Sequence, residues 1–188
     1  MFVFSKGGII IAHSWVLNYF NEFFGTMILI LFGNGLVANS FLKVTTGNPG
    51  DTKANGGWVL ISFSFSFGVM IPAMLFGSIA INPAVTLATA VAGTFPWVQV
   101  APYLFCQVLG AICGQLLVVA IYWPYFRQTT NPELVFACFF TFDHAHNIWN
   151  GFVTEVVGTA VMMFVAIGLM PGFRCRPNFR WDHWHLLL

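Results

Sequence analysis

Two carboxylates stand inside long apolar runs. Glu22 is the only charge between Leu17 and Leu42, and Glu155 the only charge between Gly151 and Met170. A carboxylate at membrane depth costs several kcal/mol unless donors meet it. The backbone N–H groups of a re-entrant loop are donors that a membrane interior can offer. Both glutamates are therefore read as supports for such loops. The alternatives are a glutamate that snorkels from a helix end to the interface, and a proton relay. Neither carboxylate has an ionisable neighbour in its block, which argues against the relay. A third feature is Asn82-Pro83-Ala84, followed by apolar residues to Ala92 and then Gly93. Asn at the cap, Pro at the first position and Gly after the end punctuate a short helix. About ten residues at ~1.5 Å each reach only half a bilayer. A short amphipathic connector is the plain alternative. Asn131-Pro132 shows that plain form, with Glu133 and no apolar half-helix behind it.

Other polar clusters carry less. Asp143, His144 and His146, and Asp182, His183 and His185, each lack a firm third ligand and are read as solvated polar residues. No metal site and no cofactor is expected. The four cysteines, Cys106, Cys113, Cys138 and Cys175, are read as apolar fillers. No nucleophile–base pair or phosphate loop is present, so the chain is not read as an enzyme.

The elements that must position these residues are membrane spans. Of 188 residues, 58% are apolar and 7% charged, against about 25% charged in a soluble domain. A net charge of +1 also argues against nucleic acid as a partner. The spacing predicts helices over 17–42, 58–76 and 98–123, a half-helix over 83–93, and a further helix over 151–170. Residues 1–16 are an N-terminal tail, 17–123 a first repeat, 124–150 a connecting loop and 171–188 an aberrant tail. Ser62-Phe63-Ser64-Phe65-Ser66-Phe67 alternates like a strand, but is read as helix with Ser62 and Ser66 on one face. Gly110-x-x-x-Gly114 and Ala73-x-x-x-Gly77 permit close helix crossing. Positive charge does not fix the orientation: with the N-terminus inside, only Arg174, Arg176 and Arg180 favour it over Lys43, Lys53 and Arg127.

The chain also repeats itself. Residues 22–26 read Glu-Phe-Phe-Gly-Thr, and 155–159 read Glu-Val-Val-Gly-Thr, 133 residues on. Gly35 and Gly168 keep that offset. Three full crossings separate the copies, so the second copy would be inverted in the membrane, as in transporters built on half-helices. A second Asn82 would fall near residue 215, beyond Leu188. The last 18 residues hold three of the seven Lys/Arg and continue no helical pattern. They are expected to be foreign sequence that follows a truncation.

These motifs resemble the aquaporin, or major intrinsic protein, family. Ile81-Asn82-Pro83-Ala84-Val85-Thr86 resembles its first signature. Glu22–Thr26 and Glu155–Thr159 resemble the starts of its first and fourth helices, and Gln107-Val108-Leu109-Gly110-Ala111 its third. Residues 17–42 and Gly56-Gly57-Trp58 look most like bacterial glycerol facilitators. The resemblance covers about residues 18–170. It implies an all-α membrane protein: here three transmembrane helices, one re-entrant half-helix, and the first helix of an incomplete inverted repeat. It further implies a passive channel for glycerol and/or water, a homotetramer, and a multi-pass place in a bacterial plasma membrane, with the lipid bilayer as partner. Asn82, Pro83 and Ala84 would form the pore motif. Alignment across a gap puts Phe65 at the selectivity position, where an apolar wall suits glycerol's carbons; packing against lipid or a neighbouring helix is the alternative. Two features depart from the family. Gly77–Ile81 is about three residues short and lacks the family's His, and the second Asn-Pro-Ala and its Arg are absent. The chain is then expected to be an inactive truncated form, or a non-conducting fragment that associates with an intact homologue. An unrelated secondary transporter with a broken helix is the remaining reading.

Overall fold

In a membrane interior the backbone must satisfy itself, so uncharged apolar runs of about 20 residues become helices. A computed structural model describes residues 2–5, 8–11, 15–48, 57–77, 79–141 and 147–169. Its helices are α1 (Trp15–Phe41), α2 (Gly57–Phe76), α3 (Pro83–Val91), α4 (Val100–Gln128), α5 (Pro132–Phe136) and α6 (Ile148–Leu169). A single 3-10 turn, Trp97–Gln99, leads into α4. Among the described residues, four stretches are long and apolar enough to cross a membrane: Trp15–Phe41, Gly57–Phe76, Trp97–Gln128 and Ile148–Val165.

Three regions depart from the sequence reading by more than two residues. The 1–16 tail contains a β-hairpin, β1 (Phe2–Ser5) against β2 (Gly8–Ile11), with Phe2 opposite Ile11. Aromatic and β-branched runs on either side of Lys6-Gly7 favour that pairing. The membrane body remains all-α. The 124–150 loop is also shorter than expected. Helix α4 continues through Pro124 to Gln128, where Thr129 closes it by donating its N–H (3.0 Å) and hydroxyl (2.8 Å) to the Tyr125 carbonyl. Asn131 then caps α5 through Glu133 N–H at 2.9 Å. At the far end of that loop, Asn147 Oδ1 accepts from Trp149 N–H (3.0 Å) and Asn150 N–H (3.3 Å), which starts α6 three residues earlier than 151.

The chain divides into two units, 1–142 and 143–188. In the first, α1 is the central helix, with α2 and α4 packed on different faces of it. Glycines set both crossings. Gly68 of α2 lies against the Leu29 backbone of α1, where a Cβ would come within 3.1 Å of the carbonyl oxygen. On the other side a Cβ at Gly110 would overlap the Phe23 carbonyl oxygen, and one at Gly114 would lie 2.6 Å from that of Met27. Ala73-x-x-x-Gly77 makes no such crossing. Ala73 is exposed, and Gly77 ends α2 at φ +78° with open space around it. The alternating serines are helical: Ser62 and Ser66 donate to the carbonyls of Trp58 and Ser62, both at 2.8 Å. An apolar core at the α1 C-terminal end joins Val37, Ala38, Leu42, Ile61, Val118 and Cys138.

The glycine crossing gives a first prediction. Gly110→Ala must push α1 and α4 apart, because the obstructing atom is backbone. Overpacking of this kind costs about 1–3 kcal/mol. Thermal unfolding in mild detergent is expected to shift down by several degrees. Gly35→Ala, where a Cβ meets nothing within 4 Å, is expected to melt like the parent. Equal melting of both variants would sink the crossing argument.

In the second unit, α6 carries Glu155 exposed on its surface, and Thr154 donates to the Asn150 carbonyl at 2.8 Å. Asp143, His144, His146, Asp182, His183, His185 and the 171–188 tail lie outside the described residues.

Candidate functional site: a half-helix held by a buried glutamate

Helix α3 begins where the sequence punctuates it. Asn82 is extended (φ −152°, ψ 124°), and its Oδ1 accepts from Ala84 N–H at 2.8 Å. Pro83 takes the first helical position, where a missing N–H costs nothing. Nine residues rise about 14 Å, half a bilayer. The chain then turns back at Gly93 (φ +73°). Thr94 N–H and Phe95 N–H both return to the Thr89 carbonyl, at 3.0 and 3.2 Å. Phe95 lands in an aromatic cluster at the other end of the bundle from the apolar core. Its ring centroid is 4.7 Å from Tyr103 and 6.3 Å from Trp15. Tyr19 packs on Tyr103 at 5.9 Å and donates its hydroxyl to Gln99 Oε1.

The approach to α3, residues 79–81, is unwound. Such a segment strands backbone donors in an apolar bundle. Glu22 meets two of them: Oε1 accepts Ala80 N–H and Oε2 accepts Ile81 N–H, both at 2.7 Å. Ile81 has φ +43°, a left-handed conformation that a β-branched residue adopts only under constraint. The carboxylate pair of bonds supplies that constraint. Gly25, one turn along α1, makes the room, since a Cβ there would sit 2.7 Å from Ile81 Cγ2 and 3.2 Å from Ile79 Cδ1.

Gln107 of α4 completes the ring. Its Nε2 donates to Glu22 Oε2 at 2.7 Å and to Thr86 Oγ1 at 2.9 Å. Thr86 Oγ1 donates in turn to the Asn82 carbonyl at 3.2 Å. Glu22, Gln107 and Thr86 are each 1% exposed. One carboxylate thus ties α1, the loop, α3 and α4 together in a buried site, where charge-assisted bonds are strongest.

The structure therefore brings Glu22 together with the Asn82-Pro83-Ala84 segment. Glu155 lies in the other unit. Gly110 and Gly114 lie on the α1 side of α4. Phe65 is half-buried, with its ring against Gly33 and packed on the apolar core. Sequence reasoning left Gln107, Thr86 and Gly25 out of the site. Gln107 carried a signal of its own, as a polar side chain in an uncharged span. No group of three or more His, Cys, Asp or Glu capable of holding a metal is found among the described residues.

Residues 12–178 match the family described as major intrinsic protein. The chain belongs to the major intrinsic protein family. It is 58% identical over 168 residues to the "glycerol uptake facilitator protein-like 5" of Lactiplantibacillus plantarum, covering 88% of this chain and 67% of that relative. It is 41% identical over 180 residues to the "glycerol facilitator-aquaporin gla" of Lactococcus lactis, covering 89% and 60%. It is 33% identical over 155 residues to the "glycerol uptake facilitator protein" of Bacillus subtilis, covering 80% and 54%. This major intrinsic protein chain thus spans between about half and two thirds of those relatives' lengths. Its match runs past the end of α6 into the segment read as a tail.

Proposed function

We propose that this chain supplies the first repeat of a passive channel for glycerol, water and similar small neutral solutes. The observation that carries the reading is the buried Glu22 carboxylate, which holds an unwound backbone and a half-helix inside an apolar bundle. The names of the relatives support the solute class. The α3 N-terminus carries the positive end of the helix dipole, which would repel cations, as the half-helix ends of aquaporin-type pores do. Oδ1 of Asn82 is held by Ala84 N–H, and the side-chain amide would donate to a passing solute. Carbonyls of residues 79–81 would accept from its hydroxyls. Ala84 would let a second half-helix approach. Glu22 supports the first pore loop, and Glu155 would do the same for a second. The assembly is a homotetramer in the bacterial plasma membrane, and it acts without covalent chemistry.

A pore of this kind needs two half-helices end to end. Liposomes carrying residues 1–188 alone are therefore expected to admit glycerol no faster than empty ones. Joining to α6 the part of the Lactiplantibacillus relative's second repeat that follows the matching helix is expected to raise glycerol entry at least several-fold. Light scattering after an osmotic jump measures both. A folded, joined chain that stays at the empty-liposome rate ends the channel reading. Fast entry through residues 1–188 alone shows that one repeat builds the pore.

A further inference from the structure

Asn34 and Gln115 are amides in apolar spans, and neither takes part in the Glu22 site. Asn34 Nδ2 donates to Gln115 Oε1 at 2.7 Å, joining α1 to α4. Gln115 Nε2 donates onward to the main-chain carbonyl of Cys138 at 3.1 Å. Cys138 lies just past α5. It is fully buried among Val37, Ala38, Leu42 and Val118, with its Sγ 3.4 Å from the Leu134 carbonyl. Asn34 occupies the oxygen of Gln115, so the nitrogen is turned to the loop. An amide in this setting is costly unless both its ends are bonded. The pair therefore specifies where the segment after α5 sits, rather than merely filling space.

The position of that segment gives it a role. Helix α3 returns at the end of the bundle marked by Trp15 and Tyr103. Cys138 lies at the opposite end, against Ala38 and Leu42. Nearby, Thr129 Oγ1 accepts from Lys43 N–H at 2.9 Å, tying the root of the segment to the end of α1. We propose that Asn34 and Gln115 are positioning residues, a clasp that seats residues 132–138 on the bundle and so sets the width of the channel mouth away from α3. The mouth assignment rests on the channel reading above; the clasp does not.

Cys138 is a built-in reporter. Burial pushes its thiol up to about 12, and the thiolate is the species that a maleimide attacks. Release of the segment lets the thiol return toward its ordinary range, so labelling at neutral pH accelerates. The chain is taken with Cys106, Cys113 and Cys175 changed to Ala, in liposomes holding membrane-impermeant maleimide on both sides. Gln115→Met, close in volume, is expected to speed labelling of Cys138 at least 10-fold. Asn34→Leu is expected to speed it several-fold, since the Cys138 carbonyl bond survives. A parallel protein that keeps only Cys113 is expected to label at one rate with or without Gln115→Met. No acceleration at Cys138, or an equal rise at Cys113, overturns the clasp. The mouth is tested in the chain joined to a second repeat. There Gln115→Met is expected to raise the ratio of xylitol entry to glycerol entry several-fold. An unchanged ratio overturns the mouth assignment. A joined parent that admits no glycerol removes that assignment together with the channel reading, while the Cys138 rates still decide the clasp.

Discussion

A Glu22→Ala chain is expected not to accumulate as folded protein in the membrane. The substitution takes the acceptor from three donors: Ala80 N–H, Ile81 N–H and one N–H of the Gln107 amide, whose other bond to Thr86 Oγ1 remains. Each buried donor left without a partner costs about 1–3 kcal/mol. Together they remove roughly 3–9 kcal/mol from a fold whose stability is on the order of 5–15 kcal/mol. Ile81 would also lose what holds it at positive φ. Glu22→Gln is the graded case. A carbonyl oxygen at the Oε2 place keeps Ile81 and Gln107 bonded, but an NH2 at the Oε1 place faces Ala80 N–H donor to donor. One stranded donor of about 1–3 kcal/mol corresponds to roughly 2–12 °C in melting temperature for a chain of this size. Size-exclusion profiles and thermal unfolding in mild detergent read both variants. Parent-like yield and melting in Glu22→Ala would mean that the carboxylate supports nothing.

The second large effect is on transport with the fold kept. Asn82→Asp in the chain joined to a second repeat is expected to lower glycerol entry by ~10-fold or more. Asp caps a helix as well as Asn does, so Ala84 N–H keeps its acceptor. A negative charge at that end also agrees with the α3 dipole. Melting in mild detergent is read beside the flux. What changes is the group offered to the solute: a donating NH2 becomes an accepting, charged oxygen. The hydrogen bond lost in transit is worth about 1–3 kcal/mol, and each ~1.4 kcal/mol is tenfold in rate. Parent-like flux with parent-like melting would remove Asn82 from the solute path. Lost flux with lost melting would assign Asn82 to the fold alone. Glu22 and Asn82 thus separate by readout: one variant fails in the melt, the other in the flux.

Much of this protein was legible in the order of its residues. A charge fraction of 7% and four apolar runs left helices as the spanning form for those runs, and the structure places helices over all four. Asn82-Pro83 and Gly93 bracketed a helix too short to cross, because capping and glycine turns are local effects within a few residues. A lone glutamate in an apolar run announced that donors must meet it, though not which ones. That choice was made by tertiary structure. Ala80, Ile81 and Gln107 lie 58 to 85 residues from Glu22, and no local periodicity relates segments that far apart. The same holds for Phe65, whose ring is half-buried because Gly33 on another helix leaves it a seat. It holds again for Cys138, read from sequence as an apolar filler, whose neighbours are set where the amides of Asn34 and Gln115 join α1 to α4 and to its carbonyl. Sequence determines which groups need partners, since desolvation is a property of the residue and its run. The crossing of α1 with its neighbours, set by glycines that admit backbone to backbone, decides which partners come within 3 Å.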